Sequence, residues 1–193
     1  MVEVSNKTKG EMTTERILEA TAYCIATYGI EKASISRISE KAKVSRGLVA
    51  HYFPEKSKLF MDVIRHIVKD GYEKIKAAEK SVKKEEQVFD ILRANMSYFF
   101  ERPSFLKCFI LFYYFSGVSP AYKKYNTQLT NAARVRIEKA LAARTIHDKE
   151  LARSIHSQLV GAMLQFHAVD HGMGIGKFSE RFLKSIRNQI KRA

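Results

Sequence analysis

Cysteine, proline and tryptophan are the residues that this chain has least of. Its 193 residues include two cysteines, three prolines and no tryptophan. So few cysteines exclude the dense disulfide framework of a small secreted domain, and so little proline excludes a proline-rich extended chain. The sequence has no run of about 18 apolar residues and no apolar stretch near its start, so we expect neither a transmembrane span nor a signal peptide. Cys24 and Cys108 lie in apolar sequence, which predicts buried, reduced thiols in a cytoplasmic protein.

Acidic residues are few compared with basic ones. The chain has 34 lysines and arginines against 20 aspartates and glutamates, a formal net charge of +14. Such an excess predicts a polyanionic partner. Residues 1–56 contain nine basic and seven acidic residues, however, so most of the excess lies in 57–193. The bulk charge therefore does not single out the N-terminal segment, and it is equally consistent with non-specific attraction and with solubility.

Composition and apolar periodicity both favour helices. Alanine, leucine, isoleucine, lysine and glutamate abound, whereas glycine is limited to 9 residues. Apolar residues recur at helical spacing in nine segments, and no stretch alternates as a strand would. We predict an all-α chain with a disordered arm at 1–12, a three-helix head at 13–56 and a larger body at 57–193. Helices are expected at about 14–28 with Thr13 or Thr14 as the cap, at 57–80, at 87–101, from Pro103, at 120–143 and at 149–171, with a last helix through 178–190.

The segment from Ser34 to Lys56 has the pattern of two short helices joined by a tight turn. Ser34 and Ser45 are typical helix caps, and Pro54 ends the second helix because the residue before a proline avoids the helical region. From Lys41 to Pro54 the chain has three basic residues and no acidic one. A short helix that is polar on one side and free of negative charge fits the major groove of DNA.

The turn between these two helices consists of Lys43 and Val44. We expect Val44 to act as an apolar plug beneath the turn. Leu48, Val49 and Phe53 are expected to face inward from the second short helix. These apolar positions would hold the second helix against the rest of the head.

Residues 14–60 carry an ordered set of signature positions across three predicted helices and two turns. They are Arg16-Ile17-Leu18, Ala20, Tyr28-Gly29, Ile38, Ala42, Val44-Ser45, Gly47, His51-Tyr52-Phe53-Pro54, Lys56 and Leu59. This arrangement resembles the N-terminal domain of TetR-family transcriptional repressors. The sequence HYF at the end of the second short helix is similar to that of the choline-responsive, BetI-like branch. The resemblance implies a nine-helix homodimer that represses transcription from palindromic double-stranded operator DNA until a small-molecule effector releases it, with 13–56 binding DNA and 57–193 binding the effector and the second chain.

Two positions depart from the family pattern. Lys43 stands where the family usually has glycine, and a lysine in the left-handed conformation costs about 1 kcal/mol. Either the turn has a different shape, or Lys43 accepts the strain and offers its charge to a phosphate. Leu48 replaces the commoner threonine, which removes one polar contact to DNA.

The resemblance places the DNA contacts on and beside the two short helices. Hydroxyls and N–H groups at helix starts can bind phosphates, and Arg46 can make a bidentate contact to guanine or a plain phosphate contact. His51 and Tyr52 can donate to phosphate oxygens, although Tyr52 is also placed to pack against a neighbouring helix. The predicted DNA-binding residues are Ser34, Arg37, Lys43, Ser45, Arg46, Gly47, Leu48, His51, Tyr52 and Lys56.

Aromatic residues in the body exceed what one buried helix face needs, most clearly in FLKCFILFYYF at 105–115. They are typical either of ordinary core or of a mostly apolar ligand pocket with a few polar groups. Aromatic faces could also hold a quaternary ammonium, although the charge of +14 opposes a cation at long range. The candidate ligand-binding residues are Ile64, Tyr98, Phe109, Phe112, Tyr113, Met163, Gln165 and Phe166.

The last two predicted helices have wide apolar faces. Two such helices from each of two chains would form a four-helix interface, and the alternative is packing inside one chain. The family resemblance implies the dimer. The candidate interface residues are Leu151, Ile155, Leu159, Phe178, Phe182 and Ile186.

Other constellations in the sequence carry little. His167 and His171 could share a helix face, but no third metal ligand is obvious, so we expect no metal and no cofactor. Gly172-x-Gly174-x-Gly176 follows a helix rather than a strand, which favours a plain loop over a phosphate-binding one. No nucleophile–base pair suggests an enzyme. Two alternatives to a specific regulator remain: a basic protein that coats DNA non-specifically, and a ligand-binding protein with a degenerate helix-turn-helix.

Overall fold

The computed structural model describes residues 7–80, 83–169 and 172–192 of the chain. Within these ranges the protein forms nine α-helices and one short 3₁₀ turn, and it contains no strand, so the all-α prediction is confirmed. No helix in the same ranges has an apolar stretch long enough to cross a membrane. The elements are α1 (Lys9–Tyr28), α2 (Ile35–Ala42), α3 (Arg46–Tyr52), α4 (Lys56–Lys80), the 3₁₀ turn (Lys84–Glu86), α5 (Gln87–Phe100), α6 (Pro103–Val118), α7 (Pro120–Ala142), α8 (Lys149–Ala168) and α9 (Ile175–Ile190).

Helix α1 begins earlier than the sequence predicted. Its cap is Thr8, whose hydroxyl accepts from the N–H of Glu11 at 3.2 Å while the Glu11 carboxylate accepts from the N–H of Thr8 at 2.8 Å. This reciprocal capping box satisfies two N–H groups at the start of the helix. Thr13 and Thr14 instead donate to carbonyls one turn earlier in α1. The predicted disordered arm is therefore wrong where α1 covers it, and residues 1–6 lie outside the described part of the chain.

The other helix boundaries lie close to the predicted ones. Pro103 and Pro120 stand at the first positions of α6 and α7, where the missing N–H has no partner to lose. Asp148 caps α8 by accepting from the N–H of Leu151 at 2.9 Å. Helix α8 ends at Ala168, earlier than its predicted end.

One apolar core runs from the three N-terminal helices into the body. Ile17, Ile38 and Val49 are fully buried and bring α1, α2 and α3 together. Ile64 and Ile67 of α4 are equally buried, so α4 passes from the head into the body with its apolar stripe covered. Helix α4 is therefore packed along its length rather than hanging between two parts.

A second connection joins head and body in addition to α4. The Cys108 thiol of α6 donates to the carbonyl of Ala22 in α1 at 3.6 Å, and the Lys107 ammonium donates to that of Ala26 at 3.4 Å. The sequence predicted a link through the fourth helix alone. The structure adds direct packing of α6 on α1, so a movement of α6 reaches the head without passing through α4.

Both cysteines are buried and unpaired, as the sequence predicted. Burial raises the pKa of the Cys24 thiol, and it raises that of Cys108 to about 12. Both thiols are therefore protonated near neutral pH, which makes them poor nucleophiles.

Candidate functional site

The turn between α2 and α3 has a left-handed residue at its centre. Lys43 has φ 54° and ψ 49°, and the turn is closed by Val44 N–H donating to the Ser39 carbonyl at 3.0 Å and Lys43 N–H donating to the Glu40 carbonyl at 3.1 Å. This pair of bonds is the usual way to end a helix with a left-handed residue. Of the two possibilities left open by the sequence, the structure has the one in which Lys43 accepts the strain.

Two contacts hold this turn and the end of α2 against α1. An Arg16 guanidinium nitrogen lies 3.5 Å from the Lys43 carbonyl, to which it donates. The Lys41 ammonium lies 3.8 Å from the centre of the Tyr23 ring, a cation–π contact. The strained turn is therefore supported from the neighbouring helix, which leaves the exposed Lys43 side chain free to point to solvent.

Ser34 and Arg37 lie at the start of α2. The Ser34 hydroxyl accepts from the N–H of Arg37 at 3.3 Å, which confirms Ser34 as the cap. The Arg37 guanidinium donates to the Lys32 carbonyl at 2.9 Å and lies 4.5 Å from the centre of the Tyr28 ring. Arg37 is thus engaged within the chain, and a phosphate would have to compete with these contacts.

Helix α3 has one buried face and one exposed face. Its cap is Ser45, as predicted, with the hydroxyl accepting from the Leu48 N–H at 3.1 Å. Val49 is fully buried, but Leu48 is 36% exposed, so the prediction that Leu48 faces inward is wrong. Val49 and Phe53 are one turn apart and occupy the inner face, and Leu48 lies about 100° around the helix from Val49. The exposed predicted DNA contacts on α3 and its cap are Ser45, Arg46, Gly47, Leu48 and His51.

Tyr52 packs against α1 at the end of α3. Its side chain is half-buried, and a Cβ added to Gly10 of α1 would stand 3.3 Å from the Tyr52 hydroxyl. His51 and Tyr52 meet edge to face with ring centres 5.4 Å apart. The structure thus shows the packing alternative for Tyr52. Lys56 begins α4, and its side chain lies outside the described part of the structure.

The surface around α3 carries no acid of its own. The flanking acids are Glu40 in α2, which is exposed, and Glu55, which pairs with Lys58 at 2.7 Å. Lys43 and Arg46 are exposed between them. Such a surface can approach a phosphate backbone without a local repulsive charge.

A narrow cavity of about 90 Å³ lies in the body between α5, α6, α7 and α8. Three candidate ligand residues line it: Phe109, Tyr113 and Met163. Its other apolar walls include Leu92, Phe99 and Leu159. The polar groups on the wall are Asn95, Tyr113, Thr130, Arg136 and His156.

Five other candidate ligand residues do not line this cavity. The Tyr98 hydroxyl donates to the Ile67 carbonyl at 2.8 Å, and Phe166 stacks on Phe100 with ring centres 4.1 Å apart. Ile64 and Phe112 are fully buried elsewhere in the core, and Gln165 lies in a groove on the outside of α8. Helical periodicity places aromatic residues on a face but does not tell which neighbour they meet, so ring-to-ring packing accounts for most of the aromatic excess.

His156 is the cavity residue that sequence reasoning missed most clearly. It is only 8% exposed, and burial, with a smaller effect of the Arg134 charge, lowers the pKa of its imidazole to about 4. The ring is therefore neutral near pH 7 and has one N–H donor and one acceptor nitrogen. The available signal was its position in α8, one turn after buried Ala152 and next to buried Ile155.

The candidate dimer residues divide into two groups. Ile155, Leu159 and Ile186 are buried inside one chain, so the prediction that they face a second chain is corrected. The periodic stripe that identified them is the face on which α8 and α9 pack against the body. Leu151, Phe178 and Phe182 are half-buried.

The outer side of α8 and α9 forms a groove of about 440 Å³. Half-buried Phe178 and Phe182 line it together with Gly161, which has no atom within 4 Å of an added Cβ. Leu164 lies one turn after Gly161 in α8 and is 47% exposed. This outer side is the part of the last two helices that one chain leaves uncovered.

The possible metal pair cannot be completed from the described residues. His167 is exposed, and His171 lies outside the described part of the chain. Across 7–80, 83–169 and 172–192, no three His, Cys, Asp or Glu side chains are grouped so that they could hold a metal ion.

An exposed short helix, held after a tight turn by two preceding helices, defines a helix-turn-helix protein. Residues 17–63 match the sequence model of the family described as bacterial regulatory proteins, tetR family. The N-terminal segment therefore belongs to the TetR family, and the whole chain has the fold of TetR-like regulators.

Curated relatives match the same end of the chain. The HTH-type transcriptional regulator BetI of Yersinia pestis (strain Pestoides F) is 32% identical over 62 residues, which are 32% of this chain and 31% of that protein. BetI of Proteus mirabilis (strain HI4320) is 40% identical over 53 residues, 28% of this chain and 26% of that protein. The similarity to these two relatives thus spans less than a third of their length and does not reach the body cavity.

Solved structures match nearly the whole fold at low sequence identity. A TetR transcription regulator from Haloarcula marismortui has a TM-score of 0.80 at 15% identity, covering 94% of this chain and 97% of that one. A putative transcriptional regulator from Saccharomonospora viridis, in complex with choline, has a TM-score of 0.74 at 17% identity, covering 89% and 94%. At these identities the likeness establishes the fold alone.

Proposed function

We propose that the protein is a homodimeric transcriptional repressor that binds a palindromic operator through α3 and is released by a small molecule in the body cavity. The observation that carries this proposal is the exposed face of α3, with Arg46, Gly47, Leu48 and His51 at its surface and Val49 holding it to the core. A helix fixed in this way can enter the major groove as a rigid unit.

The proposed contacts divide between base edges and backbone. Arg46, one residue after the Ser45 cap, is placed to reach a guanine edge with two N–H donors. Lys43 and Ser45 lie beside it and would meet phosphates, together with Ser34 and Lys56. In this proposal Tyr52 is mainly a packing residue, and Arg37 reaches DNA only by leaving its contacts inside the chain.

The proposed dimer uses the outer side of α8 and α9. Two chains joined there would place two α3 helices in successive major grooves, about 34–36 Å apart. The groove beside Gly161 and the exposed Leu164 support this arrangement, because both lie on the uncovered side of α8. Residues 13–56 would then act as the DNA-binding domain and 57–193 as the effector-binding and dimerisation domain.

Release would follow from movement of α4 or α6. The cavity touches α6 through Phe109 and Tyr113, and α6 contacts α1 through Lys107 and Cys108. A ligand that binds the non-binding arrangement more tightly shifts the population toward it. Since α6 reaches the head directly, a small shift of α6 would change the spacing of the two α3 helices.

Selection of DNA from a random pool tests the proposal. Full-length protein at about 0.15 M salt should enrich a palindrome and bind it much more tightly than a scrambled duplex. A protein that coats DNA would enrich no sequence and bind both duplexes equally. A chain whose helix-turn-helix no longer functions would retain neither, and either result would contradict the proposal.

A further inference from the structure

We propose that the body cavity binds an apolar carboxylate whose charge is held at Arg136, and that this contact weakens the hold of Arg136 on Tyr72 of α4. This inference rests on the proposed function, since it names the chemical class of the effector and the path by which the effector acts. It also separates this chain from the cation that one structural neighbour binds.

The charge of the cavity wall favours an anion over a cation. Among the described residues that line the cavity there is no aspartate and no glutamate, whereas Arg136 lies on the wall. A second guanidinium, that of Arg134, is near enough for its charge to help lower the pKa values of both His156 and Tyr113. A quaternary ammonium would enter a site with positive charge and no counter-charge.

The aromatic rings on the wall are not arranged as a cage for a cation. Phe99 and Phe109 lie with ring centres 4.8 Å apart, and Phe109 and Tyr113 meet edge to face at 5.3 Å. Rings packed on one another present few free faces, and cation–π binding needs the face of the ring. These three rings therefore serve an apolar ligand body better than a charged headgroup.

Several N–H and O–H donors accompany the guanidinium. The neutral imidazole of His156 has one N–H, and burial raises the pKa of the Tyr113 hydroxyl, so that it stays protonated. Thr130 adds a second hydroxyl on the same wall. A carboxylate accepts at two oxygens and can use more than one of these donors together with Arg136.

The rest of the wall suits a hydrocarbon. Leu92, Leu129, Leu159 and Met163 face the cavity, and the volume of about 90 Å³ is smaller than that of a typical filled ligand site. The ligand must therefore move wall side chains as it enters, and flexible Met163 is suited to such movement. Entry of the ligand and displacement of a helix are thereby joined.

Arg136 connects the cavity to α4. Its guanidinium carbon lies 4.9 Å from the centre of the Tyr72 ring, and Tyr72 belongs to α4, the helix that runs into the head. A carboxylate bound at Arg136 would attract the same charge that the ring now attracts. The contact between α7 and α4 would weaken, and α4 would gain freedom to move.

Titration calorimetry of the full-length protein with three eight-carbon probes tests the ligand class. Octanoate should bind more tightly than octanamide, and octyltrimethylammonium should not bind in the cavity. Arg136→Gln should weaken octanoate by about tenfold or more and leave octanamide unchanged, as expected for the loss of one charge-assisted pair. Arg136→Lys keeps the charge and should keep the preference for octanoate.

Arg153→Gln is the matched control, because Arg153 is exposed on α8 and pairs with Glu150 at 2.7 Å. It removes the same formal charge and should leave octanoate binding unchanged. An equal loss in Arg153→Gln and Arg136→Gln would mean that octanoate answers only to the net positive charge. That result, equal affinity for octanoate and octanamide, tighter binding of the ammonium probe, or no binding of octanoate would each overturn the inference.

Release of DNA separates this inference from the proposed function. Octanoate should release the selected operator from the wild-type protein, whereas Tyr72→Leu should bind octanoate as before and release the operator at a different octanoate concentration. Unchanged release in Tyr72→Leu would overturn the path through α4. If the ammonium probe binds and releases the operator instead, the regulator stands and the carboxylate inference fails.

Discussion

The ring of Tyr98 lies so close to Gly71 that a Cβ added to this glycine would stand 3.0 Å from the ring carbon Cε1. The Tyr98 hydroxyl donates to the Ile67 carbonyl at 2.8 Å, one turn earlier in α4. Tyr98 therefore fixes how α4 lies on α5 both by shape and by a buried hydrogen bond. Because α4 continues into the head, this contact sets the position from which any effector must move it.

Gly71→Ala should lower the free energy of unfolding by about 1–3 kcal/mol, because the added methyl group has no space and the ring is held by its hydroxyl. Urea denaturation measures the change. Gly117→Ala is the control, since nothing lies within 4 Å of the added carbon in α6 and helix propensity should raise stability by less than about 1 kcal/mol. A Gly71→Ala protein as stable as the wild type would show that α4 and α5 separate freely.

Lys43→Gly should raise the free energy of unfolding by up to about 1 kcal/mol, since glycine adopts φ 54° without the strain that a side chain brings. The same change should weaken binding to all DNA sequences through loss of one charge. Lys43→Ala keeps the strain and removes the charge, so it should bind DNA as the glycine variant does without the gain in stability. Equal stability of the two variants would contradict strain at Lys43.

Arg46→Ala should reduce the preference for one base pair of the operator, because a bidentate guanine contact contributes about 1–3 kcal/mol of discrimination. Lys56→Ala should weaken binding to operator and random DNA alike and reduce the salt slope by about 1. Fluorescence anisotropy at several salt concentrations distinguishes the two. Equal losses on both kinds of DNA for both variants would contradict this division of roles.

Leu164→Lys should convert the dimer to a monomer, because it puts a charge on the uncovered side of α8. Val135→Lys is the matched control: Val135 in α7 is 46% exposed, close to the 47% of Leu164, and lies outside the proposed interface. Sedimentation velocity gives the oligomeric state of each. A dimer that survives Leu164→Lys would place the interface elsewhere.

Stability should fall on acidification because His156 is buried in its neutral form. With a folded-state pKa of about 4, below the ordinary value of 6.5, the unfolded chain binds the extra proton between these pH values. The free energy of unfolding should therefore be unaffected above about pH 7 and fall by up to about 3 kcal/mol as the pH drops to 4.

His66 contributes in the same direction, since burial lowers the pKa of its imidazole too. Subtracting the pH profile of His156→Gln from that of the wild type isolates the effect of His156. A difference between the two proteins that does not change between pH 7 and pH 4.5 would show that His156 is solvated or already protonated in the folded state.

Local signals were sufficient to predict the helices but not their neighbours. Ser34, Ser45 and Asp148 cap the helices for which they were proposed, because capping depends on a few adjacent residues. The start of α1 was misplaced because Thr13 and Thr14 also have the chemistry of a cap. The side chain that accepts the N–H group decides among such candidates, and only the structure shows it.

The candidate sites depend on which helix each face meets, and one chain's periodicity does not contain that information. Ile155 and Leu164 are both apolar residues of α8, yet the first is fully buried and the second 47% exposed. Leu48 was placed inside on its apolarity alone, although Val49 already fills that face of a seven-residue helix. Polar cavity residues such as His156 were missed because a single polar residue in an amphipathic helix is usually exposed.

Affinity for the selected palindrome and for a scrambled duplex of the same composition, measured by anisotropy at about 0.15 M salt, tests the central claim most directly. The exposed, acid-free face of α3 predicts binding of the palindrome by at least about a thousandfold over the scrambled duplex. Moving the half-sites apart by about half a helical turn should abolish that advantage, since the two α3 helices would then meet opposite sides of the DNA. Equal affinity for the palindrome and the scrambled duplex would contradict the assignment of α3 as a reader of sequence.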